Sequence, residues 1–130
     1  MTEDAQFWDR NADKYSNSPI SNEEAYQRKL KMTQDRLRPD MRIFEFGCGT
    51  GGTALAHATH VAHVHAIDVS PRMIEIARAK QVDAAVENVT FEVSGIDAFK
   101  PSSTPYGAIL ALSVLHLVDR TFFKVVCRHA

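Results

Sequence analysis

Apolar positions change period along the chain. Over residues 3–16, Phe7, Trp8, Ala12 and Tyr15 recur at roughly helical spacing, which predicts a short amphipathic helix. Asn17-Ser18-Pro19 breaks it. Ser21 or Asn22 can cap a second helix, with Glu23 and Glu24 in the first turn, where acidic side chains suit the helix dipole. That helix runs through Tyr26, Leu30, Thr33 and Leu37 and ends at Arg38-Pro39-Asp40. From Met41 the elements become shorter. Met41–Phe46 reads as a strand, Thr53–Thr59 as an alanine-rich helix, and Val61–Ile67 as a strand ending at Asp68. Ser70-Pro71 is a strong helix start, Ser as cap and Pro at the first helical position, and Met73, Ile74, Ile76, Ala77 and Ala79 continue to about Lys80. Val89–Val93 is a third strand. Tyr106–Leu112, continuously apolar, is a fourth and suits the centre of a parallel sheet. Leu115–Arg128 reads as one more helix, with Phe122, Phe123, Val125 and Val126 apolar.

Strands alternating with helices across short loops predict an α/β fold: a parallel sheet of about four strands, with helices on both faces. Residues 1–40 stand outside the repeat and are expected to form a helical lid. Residues 41–130 are expected to form the α/β domain. Length and charge narrow the picture. At 130 residues the chain has one domain's worth of core, and its net charge of −1 gives no electrostatic reason to expect nucleic acid or an anionic membrane. No apolar run reaches the roughly 18 residues that span a bilayer. The acidic start Met1-Thr2-Glu3-Asp4 lacks signal-peptide character, so a cytoplasmic location is expected. Cys48 and Cys127 are expected to be free thiols.

The chemistry concentrates after the first strand, in Glu45-Phe46-Gly47-Cys48-Gly49-Thr50-Gly51-Gly52. Such a loop is where parallel α/β folds bind nucleotide-like cofactors, because glycine lets a ligand approach the backbone closely. Two spacings are present at once. Gly47, Gly49 and Gly52 match G-x-G-x-x-G, and Asp68 follows at about the 20-residue distance of a dinucleotide's ribose-binding acid. Glu45, Gly47, Gly49 and Gly51 also fit acid-x-G-x-G-x-G. Glu45 favours the second. A carboxylate ending a buried strand is costly unless paired, and it repels a pyrophosphate. A cofactor with a sulfonium and a free amino group is cationic at both places.

The run Glu45–Gly51 resembles motif I of the class I, Rossmann-like methyltransferases that depend on S-adenosylmethionine (SAM). Ala66–Ile74, Ser94–Ala98 and Tyr106–Leu117 resemble the family's next segments in the correct order, and Phe7–Tyr15 is similar to the N-terminal segment of its small-molecule enzymes. The resemblance covers about residues 5–120. It implies that Glu45 and the backbone of Gly47, Cys48, Gly49 and Gly51 hold the methionine part of the cofactor. It implies further that Asp68 binds the ribose, and that Val69 and Met73 pack on the adenine while Ile96 and Asp97 read its edge. Ser113 would line the path to the methyl group, and Tyr15 would close over the cofactor. The implied reaction is displacement of the sulfonium methyl by an O, N, S or C nucleophile of a small molecule. Such a step rests on proximity and alignment. It demands no obligatory side-chain catalyst, and the one candidate is His116, as a general base after the fourth strand.

The chain departs from the family in two ways. Tyr106-Gly107 stands where the family usually has an acid or Asn, and the sequence stops at Ala130, where three further strands are expected. This predicts a truncated methyltransferase, or a domain completed by self-association through the exposed fourth strand and the C-terminal helix. An NAD-dependent oxidoreductase fragment and a non-catalytic dimerising remnant are the alternatives. His57, His60, His63 and His65 invite a metal reading, but no Cys, Asp or Glu joins them at ligand spacing, so partly buried and surface imidazoles are expected. Arg28-Lys29-Lys31 reads as a solvated helix face.

Overall fold

The structure, a computed structural model, describes residues 3–17, 23–95, 97–98 and 106–111. The elements run α1 (Glu3–Asn17), α2 (Glu23–Gln34), β1 (Arg42–Phe46), α3 (Gly52–Ala58), β2 (His63–Asp68), α4 (Pro71–Asp83), β3 (Val89–Val93) and β4 (Ala108–Leu110). All strand pairs are parallel, in the order β3-β2-β1-β4. The strand order therefore reverses between β1 and β4, and in open α/β sheets ligands bind at the carboxyl ends of strands beside such a reversal.

Register divides the sheet into two faces. Ile43 lies beside Val64, which lies beside Val89, and Ala66 lies beside Phe91. These residues form the main core with Ala54 and Ala58 of α3 and Ile74 and Ala77 of α4. The small side chains on both helices let them sit close to the sheet. The opposite face carries Phe44, Phe46 and Ile67, also buried. There the Tyr106 ring packs on Phe44 at 5.5 Å, and the Arg42 guanidinium lies 5.4 Å from the Tyr106 ring centre. Outside the first layer, α1 packs on α4 and α2 on α3.

Two boundaries differ from the sequence expectation. Helix α2 ends at Gln34 rather than Leu37. Its last turn tightens through Arg36 N–H to Thr33 O and Leu37 N–H to Gln34 O, i→i+3 bonds that unwind the helix before Pro39. Strand β4 spans three residues rather than seven. Tyr106 lies outside its ladder, and Gly107 N–H donates to Arg42 O at 2.7 Å where the chain enters the sheet. The Ser21 or Asn22 cap, Leu112, Cys127 and the helix expected over 115–128 lie outside the described residues. Among the described residues no helix is long and apolar enough to cross a membrane.

Candidate functional site

Three glycines turn the chain from β1 into α3, each with positive φ: Gly47 at 68°, Gly49 at 57° and Gly51 at 82°. That backbone is strained for any residue with a Cβ. The loop stays stitched to the sheet, because Cys48 N–H donates to Ile67 O of β2 at 3.0 Å. Asp68 then holds it from the end of β2. Its Oδ2 accepts from Gly49 N–H at 2.9 Å and its Oδ1 from Ser70 N–H at 3.0 Å. A carboxylate offers about four lone-pair positions, so Asp68 keeps acceptor capacity for a ligand. Burial pushes the Asp68 carboxyl above its ordinary pKa, and the backbone donors of Ser70, Gly49 and Val69 pull the other way.

Glu45 sits near the end of β1, 3% exposed, and its Oε2 is buried without a hydrogen-bond partner among the described residues. Burial, and then the negative charge of Asp68, raise its pKa to about 8. Two carboxylates thus converge beneath the glycine loop, one of them unsatisfied. A buried orphan acceptor costs about 1–3 kcal/mol, so it marks a place where a donor is missing. Cys48 is buried beside them, and burial followed by Glu45 and Asp68 pushes its thiol up. It stays protonated, which removes it as a nucleophile.

The glycines also separate the two spacings found in the sequence. In a dinucleotide fold the third fingerprint glycine permits close packing of helix on strand. Here that role belongs to Gly51. A Cβ on it would lie 2.7 Å from Phe91 Cζ and 2.9 Å from Ala77 Cβ. Gly52 is exposed, and among the described residues a Cβ there would meet only the Tyr26 hydroxyl, at 3.8 Å. The loop uses the acid-x-G-x-G-x-G pattern.

The other sequence candidates gather unevenly. Tyr15, on α1, lies over the loop, with Cε1 3.9 Å from where a Gly49 Cβ would stand. Val69 is half-buried beside Gly95, Met73 is buried at the start of α4, and Asp97 is exposed in the turn after β3. Ile96, Ser113 and His116 lie outside the described residues. The histidines are dispersed. His57 approaches Gln34 Nε2 at 3.4 Å, His63 meets Thr90, and His65 stands between Tyr106 Oη and Glu92 Oε2 at 3.2 and 3.0 Å. Among the described residues no group of three or more His, Cys, Asp or Glu side chains is placed to hold a metal ion.

Sequence reasoning missed two residues. Lys80 of α4 reaches Thr50 Oγ1 at 2.9 Å, and burial lowers its pKa. Asp9 of α1 accepts from Ser70 Oγ at 2.9 Å and Arg72 N–H at 2.8 Å. Asp9 carried one signal: it is polar on a helix face otherwise lined by the buried Ala5 and Ala12.

A glycine loop flanked by acids, at the reversal point of a parallel sheet ordered 3-2-1-4, defines a Rossmann-like nucleoside-cofactor domain. More narrowly, the chain belongs to the methyltransferase domain family, whose model matches residues 43–130. It is 33% identical over 101 residues to a ubiquinone biosynthesis O-methyltransferase of Methylocella silvestris, covering 74% of this chain and 39% of that protein. It is 29% identical over 130 residues to the uncharacterized methyltransferase YcgJ of Bacillus subtilis, covering all of this chain and 44% of that one. The chain thus spans about two fifths of the length of these relatives. In fold it is similar to a DhpI–SAM–HEP complex, with a TM-score of 0.76 and 17% identity over 96% of this chain and 58% of that one.

Proposed function

We propose that this chain binds SAM across the carboxyl ends of β1 and β2 and is the donor-binding part of a small-molecule methyltransferase. The observation that carries the reading is the buried, unpartnered Glu45 Oε2 next to Asp68. Two acidic side chains at one site suit a ligand that is cationic and rich in donors, and disfavour a pyrophosphate. Glu45 and the loop backbone from Gly47 through Cys48 and Gly49 to Gly51 would hold the methionine part, whose ammonium supplies the missing donor. The free lone pairs of Asp68 would take the ribose hydroxyls, Val69 and Met73 would flank the adenine, and Ile96 and Asp97 would read its edge. Bound SAM supplies a methyl group on a strong leaving group, and the protein's share is to align it and exclude water.

Residues 1–40 act in this reading as a lid, through Tyr15 over Gly49. Ser113 lines the way to the methyl group, and His116 is the candidate base on the acceptor side. The acceptor is a small molecule, in keeping with relatives named for ubiquinone biosynthesis. Self-association through the edge strand β4 and a cytoplasmic setting, where the free Cys48 thiol is stable, complete the proposal.

Titration calorimetry of the purified chain with SAM, S-adenosylhomocysteine and NAD tests it. Binding of the two adenosyl ligands with none of NAD is expected. Tight NAD binding without SAM binding would overturn the reading.

A further inference from the structure

The hydrogen bonds around the glycine loop extend through α4 to α1 and return. Gly49 N–H donates to Asp68, and Asp68 Oδ1 accepts from Ser70 N–H. Ser70 Oγ donates to Asp9 Oδ1, which also accepts Arg72 N–H. Asp9 lies on α1, and six residues on, the same helix brings the Tyr15 ring against Gly49. The circuit closes where it began.

Asp9 does here what a cap residue does, but from another helix. Ser70 Oγ accepts Met73 N–H at 3.1 Å, satisfying one free donor of the first turn of α4. Pro71 has no N–H, and Arg72 N–H, the remaining donor of that turn, goes to Asp9. A carboxylate at a helix N-terminus is favoured by the helix dipole as well. One turn along, a single oxygen of Asp13, Oδ1, accepts from Arg72 Nη2 and Nε at 2.6 and 3.0 Å. The fully buried apolar side chains of α1 are small. Ala5 and Ala12 are buried, whereas Phe7, Trp8 and Tyr15 are 49%, 41% and 54% exposed. Polar capture by Asp9, with the Asp13–Arg72 pair beside it, therefore helps to fix where α1 lies.

From this circuit we propose that Asp9 is a positioning residue for the methyl donor: by capping α4 from α1 it sets Tyr15 over the glycine loop and slows escape of the adenosyl ligand. The inference rests on the SAM reading above. It assigns Asp9 no contact with the ligand. Its influence runs through Tyr15, and that makes it separable from a general effect on folding.

The test is S-adenosylhomocysteine binding and dissociation for the full chain and for D9A, D9N, Y15A and D9A/Y15A, with thermal melts of each. Asp9→Ala is expected to weaken binding at least tenfold, mainly through faster release. Asp9→Asn keeps an acceptor oxygen and is expected to stay within about threefold of wild type. In the Tyr15→Ala background, Asp9→Ala is expected to change affinity less than twofold while still lowering the melting temperature. Trp8, the only tryptophan, packs edge-on to Tyr15 with ring centres 6.0 Å apart, and its emission is expected to shift in D9A but not in D9N. An equal loss of affinity in both Tyr15 backgrounds, or unchanged affinity in D9A, overturns the proposal. If D9A does not fold, D9S, whose shorter side chain cannot reach both Ser70 and Arg72, takes its place in both Tyr15 backgrounds under the same criterion. Wild-type chain that fails to bind S-adenosylhomocysteine overturns the SAM reading itself, a different result from wild-type binding that Asp9 does not affect.

Discussion

At the scale of single residues, Glu45 is where stability and binding pull apart. Its carboxyl titrates near pH 4.5 in the unfolded chain and near 8 in the fold, chiefly because it is buried. The folded state therefore holds the proton more tightly. The stabilisation is full below about pH 4.5 and is lost as pH rises toward 8. Glu45→Gln is expected to flatten this slope and to raise the melting temperature at pH 8, while weakening SAM at least tenfold. Melts across pH 5–9 and calorimetry on the same protein check both halves. Because a cationic ligand favours the ionised form, wild-type binding at pH 7 is expected to release a proton, visible as a binding enthalpy that depends on the buffer. The glycines give a second residue-scale contrast. Gly51→Ala meets Phe91 and Ala77 and keeps a positive φ, so a loss of about 2–4 kcal/mol in denaturant unfolding is expected. Gly52→Ala, with room around it, is expected to stay within about 1 kcal/mol of wild type.

At the scale of elements, what could be read from the sequence was what has a period or a punctuation mark. The strand Val89–Val93 and the Ser70-Pro71 start of α4 fall where the pattern places them. The shortening of α2 and β4 was hidden, because neighbours decide both. Pro39 acts on the turn before it, and Tyr106 turns its ring onto Phe44 instead of extending the ladder. Contacts between distant residues were also hidden. Asn88, in an unremarkable turn, donates to Ala58 O at 2.7 Å and Val61 O at 3.2 Å, tying down the C-terminal end of α3. Nothing near it in sequence signals that partner. Asn88→Ala is expected to cost about 1–2 kcal/mol in denaturant unfolding. The glycine loop was legible because strained backbone demands one residue type. Lys80 and Asp9, which brace the loop and helix α1, obey no such demand.

At the scale of the whole molecule, the sheet order places β4 at an edge, paired on one side only to β1 among the described residues. A short apolar edge strand invites a partner. Sedimentation of the purified chain is expected to show self-association, and a lysine at Ile109 is expected to reduce it; a monomer at high concentration would remove that part of the proposal. The same sheet sets how a ligand would be received. Asp68 already holds Gly49, Cys48 is already hydrogen-bonded to Ile67, and Lys80 already meets Thr50. The cradle is thus shaped during folding, and the chain gives up its freedom there before any ligand arrives. An incoming adenosyl group would meet a surface that has little left to order, so more of its contact energy is left over as affinity.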